Sequence, residues 1–320
     1  MSLIKPNIED KTDSIVPEVE VKKYRELLSL ESPIYDFEIV PGFFKQSSLD
    51  TDDTTYDSLN DHLGLNKPSW ENLLLELQTL NSNSPADTKY KLIFCARHGQ
   101  GYHNYTLSIV GRPLWDSFYS HQYGDVKLPN GEIVNYGPDP FLTQLGESQA
   151  KFINETLIKE INNGMPLPTK LFSSPFTRSC QTLYLSMNNI LMFKNSDKGL
   201  KPLIMENLRE TIGEHTCDER SSKKVIEERL NGWGFTFEDG FTENDELYRS
   251  DWRESVGELT IRSNRFLQNV FDDKYNDDLV VYSSSHSGQV KSILLAVGHR
   301  PYIIPTAGLI PIVVKAVKRK

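Results

Sequence analysis

The chain has 320 residues, 38% of them hydrophobic, and a formal net charge of −9. This length allows two domains or one large α/β domain, and the negative charge excludes the basic footprint of a nucleic-acid-binding protein. No apolar run reaches the ~18 residues of a transmembrane helix. The start lacks the apolar core of a signal peptide, and the three scattered cysteines predict a reduced intracellular protein. We therefore expect a cytoplasmic protein, with the nucleus as an alternative, and no nucleic-acid or membrane partner.

The first 88 residues carry mixed signals. Residues 1–20 are polar and acidic, which predicts poor order. Three elements are expected after them: a short helix at Tyr24–Leu30, an aromatic β-prone stretch at Ile34–Phe44, and a helix at Ser69–Leu80 with Ser69 as its N-cap. Their aromatic residues favour packing over a free linker. We interpret residues 1–88 as an N-terminal extension packed on a core of residues 89–320.

A buried strand that ends in a polar cluster is predicted within Lys91–Asn104. Leu92–Ala96 form a continuous apolar run, which is typical of a central strand covered on both faces. Arg97, His98 and Gly99 follow at its carboxyl end, where open α/β sheets bind ligands. A neutral His98 could attack phosphorus, and arginines beside it would compensate the charge on the phosphoryl oxygens. The alternative is an ordinary loop histidine whose ring nitrogens form hydrogen bonds with neighbouring groups.

Beyond this cluster, strands alternate with helices, which predicts a mostly parallel sheet. Residues 111–140 are rich in Gly, Pro, Asn and Asp and are predicted to form a long, partly ordered loop near the site. A helix is expected to begin after Thr143 as its N-cap and to end at residues 162–164. The other predicted elements are a strand at Lys170–Ser173, a helix opened by Ser174-Pro175, a helix at Val256–Phe271, a strand at Leu279–Ser283, a helix at Val290–Val297, a strand at Ile312–Val314 and a solvated basic terminus at Lys315–Lys320.

Three later segments add groups that can handle a phosphate ester. Arg178 is predicted in the first turn of a helix, where the helix terminus and the guanidinium both suit phosphate; an ordinary exposed arginine is the alternative. His286 lies between a strand and a helix and could hydrogen-bond a phosphoryl oxygen, or else be a capping or core histidine. Residues 206–220 hold several carboxylates. One of these could protonate a leaving oxygen, unless the loop is simply solvated.

Four motifs together resemble the histidine phosphatase superfamily, in its phosphoglycerate-mutase-like branch. They are Arg97-His98-Gly99 with Asn104, Leu142-Thr143-x-x-Gly146-x-x-Gln149-Ala150, Ser173-Ser174-Pro175-x-x-Arg178-x-x-Gln181-Thr182 and Ser285-His286-Ser287-Gly288. Their order and loose spacing match over residues 90–300, and the overall pattern is similar to fungal phosphomutase-like proteins. The resemblance implies a three-layer α/β/α sandwich with a mostly parallel central sheet.

The resemblance also implies a role for each matched side chain. His98 resembles the phosphorylated nucleophile. Arg97, Arg178 and His286 resemble the groups that hold the transferring phosphoryl, and Asn104 resembles an auxiliary phosphate ligand.

The general acid is matched less securely. Glu210 is the best match for it, since it follows Leu208-Arg209 and precedes a glycine. That glycine, Gly213, lies closer to Glu210 than in the mutases, so Glu214 remains a rival. The segment His215–Arg220 has no role that the motifs supply, and substrate contact is one interpretation.

The resemblance favours a metal-independent phosphatase that hydrolyses small phosphate monoesters through phosphohistidine at His98, without a cofactor. A phosphoglycerate-type mutase is the first alternative, although Gly111–Trp115 only loosely matches the mutases' glycine-tryptophan segment. A non-catalytic protein that binds phosphate esters is the second. The sequence contains no Asp-x-His or Gly-Asp-x-x-Asp series, which disfavours a metallophosphatase. Specificity is expected in residues 105–141 and 211–250, and the substrate and oligomeric state stay open.

Overall fold

The computed structural model describes residues 3–320. Its strands are β1 (Tyr35–Ile39), β2 (Thr88–Arg97), β3 (Asp125–Lys127), β4 (Ile133–Asn135), β5 (Lys170–Ser173), β6 (Leu203–Ile204), β7 (Thr236–Phe237), β8 (Val280–Ser285) and β9 (Leu309–Lys318). Its α-helices are α1 (Ile8–Asp13), α2 (Glu18–Leu30), α3 (Trp70–Asn83), α4 (Tyr102–Val110), α5 (Arg112–Ser117), α6 (Gln144–Asn162), α7 (Thr177–Met187), α8 (Lys223–Arg229), α9 (Val256–Val270) and α10 (Ser287–Ala296).

The main sheet has seven strands in the order β1-β9-β2-β8-β5-β6-β7. The pairs β2–β8, β8–β5, β5–β6 and β6–β7 are parallel. Only β9 runs antiparallel to its neighbours β1 and β2 within the described sheet. The predicted α/β fold with a mostly parallel central sheet is therefore confirmed.

The apolar run of β2 is buried because helices cover both faces of the sheet. Leu92 and Phe94 pack into a core that includes Trp70 of α3 and residues of α6 and α7. Ile93 and Cys95 point the other way, into a core built with α9 and α10. Alternate residues of one strand thus feed two cores, which makes the three layers of the sandwich.

The predicted helix starts at two positions are confirmed. The Ser69 side chain accepts a hydrogen bond from the backbone N–H of Asn72, and the Thr143 side chain accepts one from Gly146. Each satisfies a donor that the first turn leaves unpaired. The prediction that Ser174-Pro175 open a helix is wrong by two residues, since α7 begins at Thr177.

The expectation of poor order near the start is wrong. Residues 3–20 contain α1 and the start of α2, and Ile4 and Asp10 there are buried, whereas residues 1 and 2 lie outside the described residues. Residues 111–140 are more ordered than expected, since they contain α5 and the local pair of strands β3 and β4. The basic terminus is solvated as predicted, with Lys318–Lys320 exposed, although β9 extends as far as Lys318.

The N-terminal extension contributes to the main sheet through β1, which pairs with β9 from Tyr35↔Lys318 to Ile39↔Val314. On one face α2 packs against α9, and on the other α3 packs against β2. We propose that the extension of residues 1–88 and the core of residues 89–320 fold as one unit. Across residues 3–320, none of the helices combines the length and apolarity needed to cross a bilayer.

Candidate active site

Three strands deliver the predicted site residues to one edge of the sheet. His98 follows β2, Arg178 lies in the first turn of α7 after β5, and His286 is the N-cap of α10 after β8. Because β8 lies between β2 and β5 and all three run parallel, their carboxyl ends meet. The ring centroids of His98 and His286 are 5.0 Å apart.

The ring of His98 is fixed in one tautomer. Its Nδ1 lies 2.6 Å from the carbonyl oxygen of Gly99, and because a carbonyl can only accept, Nδ1 carries the proton. Nε2 then holds a lone pair, and Nε of Arg178 donates to it at 3.3 Å. Burial, with the nearby charges of Arg178 and Arg97, holds the pKa of His98 well below its usual value. His98 is therefore a neutral imidazole with Nε2 available as a nucleophile.

Arg178 is fully buried and firmly held. Its Nη1 donates to the backbone oxygen of Cys217 at 2.9 Å, and its Nη2 donates to Oδ1 of Asp218 at 3.2 Å. The guanidinium also lies 4.3 Å from the ring centre of Phe176. A guanidinium restrained on several sides suits the role predicted for it, since little side-chain entropy remains to be lost when an anion binds.

The second predicted arginine, Arg97, sits in a buried ion pair. Its Nη1 donates to Oδ1 of Asp10 at 2.5 Å and to the backbone oxygen of Ile304 at 2.7 Å. Its Nε is buried and has no hydrogen-bond partner among the described residues. Arg97 therefore keeps a donor that the protein does not use.

His286 is also buried and neutral. Its Nε2 lies 2.8 Å from Oγ of Ser174 and 3.3 Å from Oγ of Ser179, while Nδ1 has no hydrogen-bond partner in residues 3–320. Burial, followed by the charge of Arg178, lowers its pKa well below the usual value. His286 therefore lies beside His98, and one of its ring nitrogens makes no hydrogen bond within residues 3–320.

A cavity of about 220 Å³ opens beside His98. Four sequence-predicted residues lie in its wall: Arg97, His98, Asn104 and Glu210. Arg178 and His286 lie deeper, fully buried behind them. The Oδ1 of Asn104 accepts the backbone N–H of Gly101 at 3.0 Å, which ties this side chain to the loop that carries the nucleophile.

The two candidate acids are in different places. Glu210 lies in the cavity wall, where its Oε2 accepts the backbone N–H of Gly288 at 3.2 Å and its Oε1 accepts that of Thr211 at 2.9 Å. Glu214 does not line the cavity; its backbone N–H donates to Arg249, and its φ is +61°. Of the two carboxylates, Glu210 is the one that reaches the cavity.

Comparison with known proteins now adds to this geometry. No family model matches the chain. The chain is 30% identical over 300 residues to a probable phosphoglycerate mutase of Arthroderma benhamiae, across 88% of this chain and 85% of that protein. It is 31% identical over 300 residues to a probable phosphoglycerate mutase of Saccharomyces cerevisiae, across 86% and 95%. The chain belongs to the phosphoglycerate-mutase-like branch of the histidine phosphatase superfamily.

Solved structures of this superfamily align more loosely. An ecdysone phosphate phosphatase from Bombyx mori shares 16% identity over 69% of this chain and 88% of that chain, with a TM-score of 0.45. A mycobacterial glucosyl-3-phosphoglycerate phosphatase shares 18% identity over 69% and 92%, with a TM-score of 0.39. Among the curated relatives, a phosphomutase-like protein of Candida albicans is 31% identical over 272 residues, across 85% of this chain and 78% of that protein.

The cavity of this protein is also lined by residues that lie outside the four motifs. They are Asp13, Leu107, Arg112, Trp115, Thr211, His215, Asp218, Arg253 and Lys291 among others. Lys291 could have been found, since it lies one helical turn after Ser287 on the face that the closing motif begins. Of the others, Asp13 and Arg253 lie outside the segments 105–141 and 211–250 in which specificity is expected, and no local pattern marks these two residues.

One trio in the described residues brings possible metal ligands together. Ligand atoms of His215, Cys217 and Asp218 lie within 4.8 Å of one another. However, the Asp218 carboxylate accepts from Arg178 at 3.2 Å and lies 3.4 Å from Arg253, and burial raises the pKa of the Cys217 thiol well above its usual value. Two guanidinium groups and a protonated thiol disfavour a cation here, so the carboxylate instead holds arginines.

The neutral histidines predict a loss of stability in acid. The pKa values of His98 and His286 are lowered well below about 6.5, and burial lowers that of His215 to about 3. Below pH ~6.5 the unfolded chain binds protons that the folded protein excludes. As far as these histidines are concerned, we expect the free energy of unfolding to be highest above that pH. It should fall as the pH is lowered, by up to about 1.4 kcal/mol per pH unit for each such histidine.

Urea unfolding at pH 7, 6, 5 and 4 would measure this slope. The matched control is His215→Gln, which removes one titrating group. Its free energy of unfolding should fall less steeply between pH 6 and pH 4 than that of the wild type. Parallel curves for the two proteins would mean that His215 is protonated in the folded state as easily as in the unfolded chain.

Proposed function

We propose that this protein is a metal-independent phosphatase that hydrolyses small phosphate monoesters through a phosphohistidine at His98. The observation that supports this best is the fixed tautomer of His98, which leaves the lone pair of Nε2 next to the Arg178 guanidinium. A neutral, basic ring nitrogen that lies between arginines at the edge of a cavity is typical of a functional site rather than of a structural histidine.

In the first half-reaction, Nε2 of His98 attacks the phosphorus of the ester. The N–P bond forms as the bond between phosphorus and the ester oxygen breaks, and Glu210 gives its proton to the leaving alcohol. Arg97, Arg178 and His286 contact the phosphoryl oxygens, where preorganised donors stabilise the transition state. The proton stays on Nδ1, which donates it in a hydrogen bond to the Gly99 carbonyl oxygen, and this contact stabilises the positive imidazolium as it forms.

In the second half-reaction, water attacks the phosphorus and returns a proton to Glu210. The N–P bond breaks, inorganic phosphate leaves, and His98 is again neutral. Asn104 is an auxiliary ligand to the phosphoryl in both steps.

A mutase is the second candidate, because the curated relatives carry that name. A mutase must keep water from the phosphohistidine and hold the substrate carboxylate with fixed cations. In this cavity Arg112 is already paired with Glu9 and Asp13, at 2.6 and 2.9 Å, and Arg253 lies 3.4 Å from Asp218. These ion pairs lower the capacity of Arg112 and Arg253 for a further carboxylate, and Lys291 is the cavity cation that would have to hold it in a mutase.

The test is phosphate release from a panel of small phosphate monoesters, with 3-phosphoglycerate included and EDTA present. We expect inorganic phosphate to be released from several esters at a rate that EDTA leaves unchanged. Conversion of 3-phosphoglycerate to its 2-phospho isomer faster than phosphate release would support the mutase. Activity lost in EDTA and restored by a divalent metal would contradict the mechanism.

A further inference from the structure

The short helix α1 carries three carboxylates, and each pairs with an arginine of the cavity wall. Asp10 binds Arg97, whereas Glu9 and Asp13 both bind Arg112. We infer that Asp10 is a positioning residue, which fixes the Arg97 guanidinium in the orientation that receives the transferring phosphoryl. This inference rests on the proposed function, and it makes the N-terminal segment part of the active site.

The ion pair of Asp10 and Arg97 is almost completely buried, with 2% and 3% of the two side chains exposed. A charge in such a place is stable only with its partner, because removing either one leaves the other desolvated and unpaired. The arginine side chain has several rotatable bonds, yet its Nη1 is held by both Asp10 and the carbonyl of Ile304. The ion pair therefore restrains the Arg97 guanidinium in one orientation.

Asp10 is itself held on its other side. Its Oδ2 accepts the backbone N–H of Asn7 at 2.9 Å, and its backbone N–H donates to Oδ1 of Asn7 at 2.9 Å. The two carboxylate oxygens thus have separate partners, one on the backbone of the helix start and one on Arg97. Because the start of the helix fixes the Asp10 carboxylate, the carboxylate can in turn fix the Arg97 guanidinium, as contacts that support a functional site do.

The placement of Asp10 distinguishes positioning from blocking. Arg97 lines the cavity, but Asp10 does not, so the carboxylate binds the guanidinium from outside the space that a substrate would fill. Arg97 Nε also has no hydrogen-bond partner in the described part of the chain. Asp10 therefore leaves Arg97 with capacity for an anion, whereas a blocking carboxylate would occupy the cavity itself.

The test is a double-mutant cycle in the full-length protein with p-nitrophenyl phosphate as substrate. Asp10→Asn should lower kcat/KM by about 100-fold, the scale of a small misplacement of a catalytic group. In an Arg97→Ala background the same change should have almost no further effect, because its target is gone. Asp10→Glu keeps the charge and should lose less activity than Asp10→Asn, which covers the case in which Asp10→Asn folds poorly.

Glu9→Gln is the matched control, since it breaks an ion pair of the same helix with a different arginine. The factor by which Glu9→Gln lowers kcat/KM should be the same in the wild type and in the Arg97→Ala background. If Asp10→Asn is equally additive with Arg97→Ala, the carboxylate acts only on stability and the inference is wrong. An increase in activity for Asp10→Asn would instead identify α1 as an inhibitory segment.

Binding of inorganic phosphate, measured by calorimetry, separates this inference from the proposed function. Asp10→Asn should weaken phosphate binding about tenfold, the scale of one misplaced charge-assisted hydrogen bond, whereas Glu9→Gln, which removes a carboxylate from Arg112, should not weaken it. A wild type that binds phosphate but hydrolyses no ester would refute the phosphatase and leave the role of Asp10 testable by this affinity alone. Equal phosphate affinity in the wild type and Asp10→Asn would overturn the positioning role.

Discussion

The substitution His98→Ala is expected to lower turnover of p-nitrophenyl phosphate by on the order of a thousandfold or more, as the loss of a nucleophile does elsewhere. The expectation follows from the neutral ring, the proton fixed on Nδ1 and the lone pair of Nε2 beside Arg178. Steady-state kinetics would measure the loss. Thermal unfolding of the variant should show that the fold is retained.

His103→Ala is the matched comparison for this experiment. The His103 ring centre lies 5.4 Å from that of His98, and its pKa is also lowered well below the usual value, first by burial. His103 also lines the cavity, as His286 does not, and it is therefore the rival nucleophile that a substrate could reach. We expect a much smaller loss for His103→Ala than for His98→Ala, and the reverse order would assign the nucleophile to His103.

A leaving-group dependence is expected for Glu210→Gln. An alkoxide is a poor leaving group and needs a proton, so alkyl phosphates should slow by about 10²- to 10⁴-fold, the usual contribution of general acid catalysis. p-Nitrophenolate leaves without protonation, so its release should slow by roughly tenfold or less. The comparison of kcat/KM for an alkyl phosphate and p-nitrophenyl phosphate measures the difference directly.

Glu214→Gln provides the control for the acid. This residue is four positions away from Glu210 and does not line the cavity, so the variant should slow both substrates by the same factor. If Glu214→Gln shows the leaving-group dependence and Glu210→Gln does not, the acid has been assigned to the wrong carboxylate. The short spacing between Glu210 and Gly213 would then be the reason.

Much of the fold and the core of the site could be predicted from the sequence, because apolar runs and short motifs mark them locally. The apolar run of Leu92–Ala96 marked the central strand, and residues after successive strands had to meet at one edge once the sheet was parallel. The resemblance of the four motifs implied that His98, Arg178 and His286 belong to one site, and the strand order of the structure explains how they meet. The structure adds the tautomer of His98, which depends on a single backbone oxygen that no motif encodes.

The contribution of the N-terminal segment could not be predicted. Asp10 and Arg97 are 87 positions apart, and α1 is a helix of six residues, too short for a periodic signal. Composition therefore indicated disorder for a segment that ion pairs hold in place. Arg253 was missed for a similar reason, since it meets Asp218 only when two loops fold around Arg178, and the ion pairs of Asp218 could not be predicted either.

The most direct test of the account is to trap and locate the covalent intermediate. The wild-type protein would be mixed with p-nitrophenyl phosphate, quenched without acid because phosphohistidine is acid-labile, digested and analysed by mass spectrometry. One phosphoryl group is expected on the wild-type peptide that contains His98, and none on the same peptide of His98→Ala. A phosphoryl group on another residue, or equal labelling of His98→Ala, would contradict it.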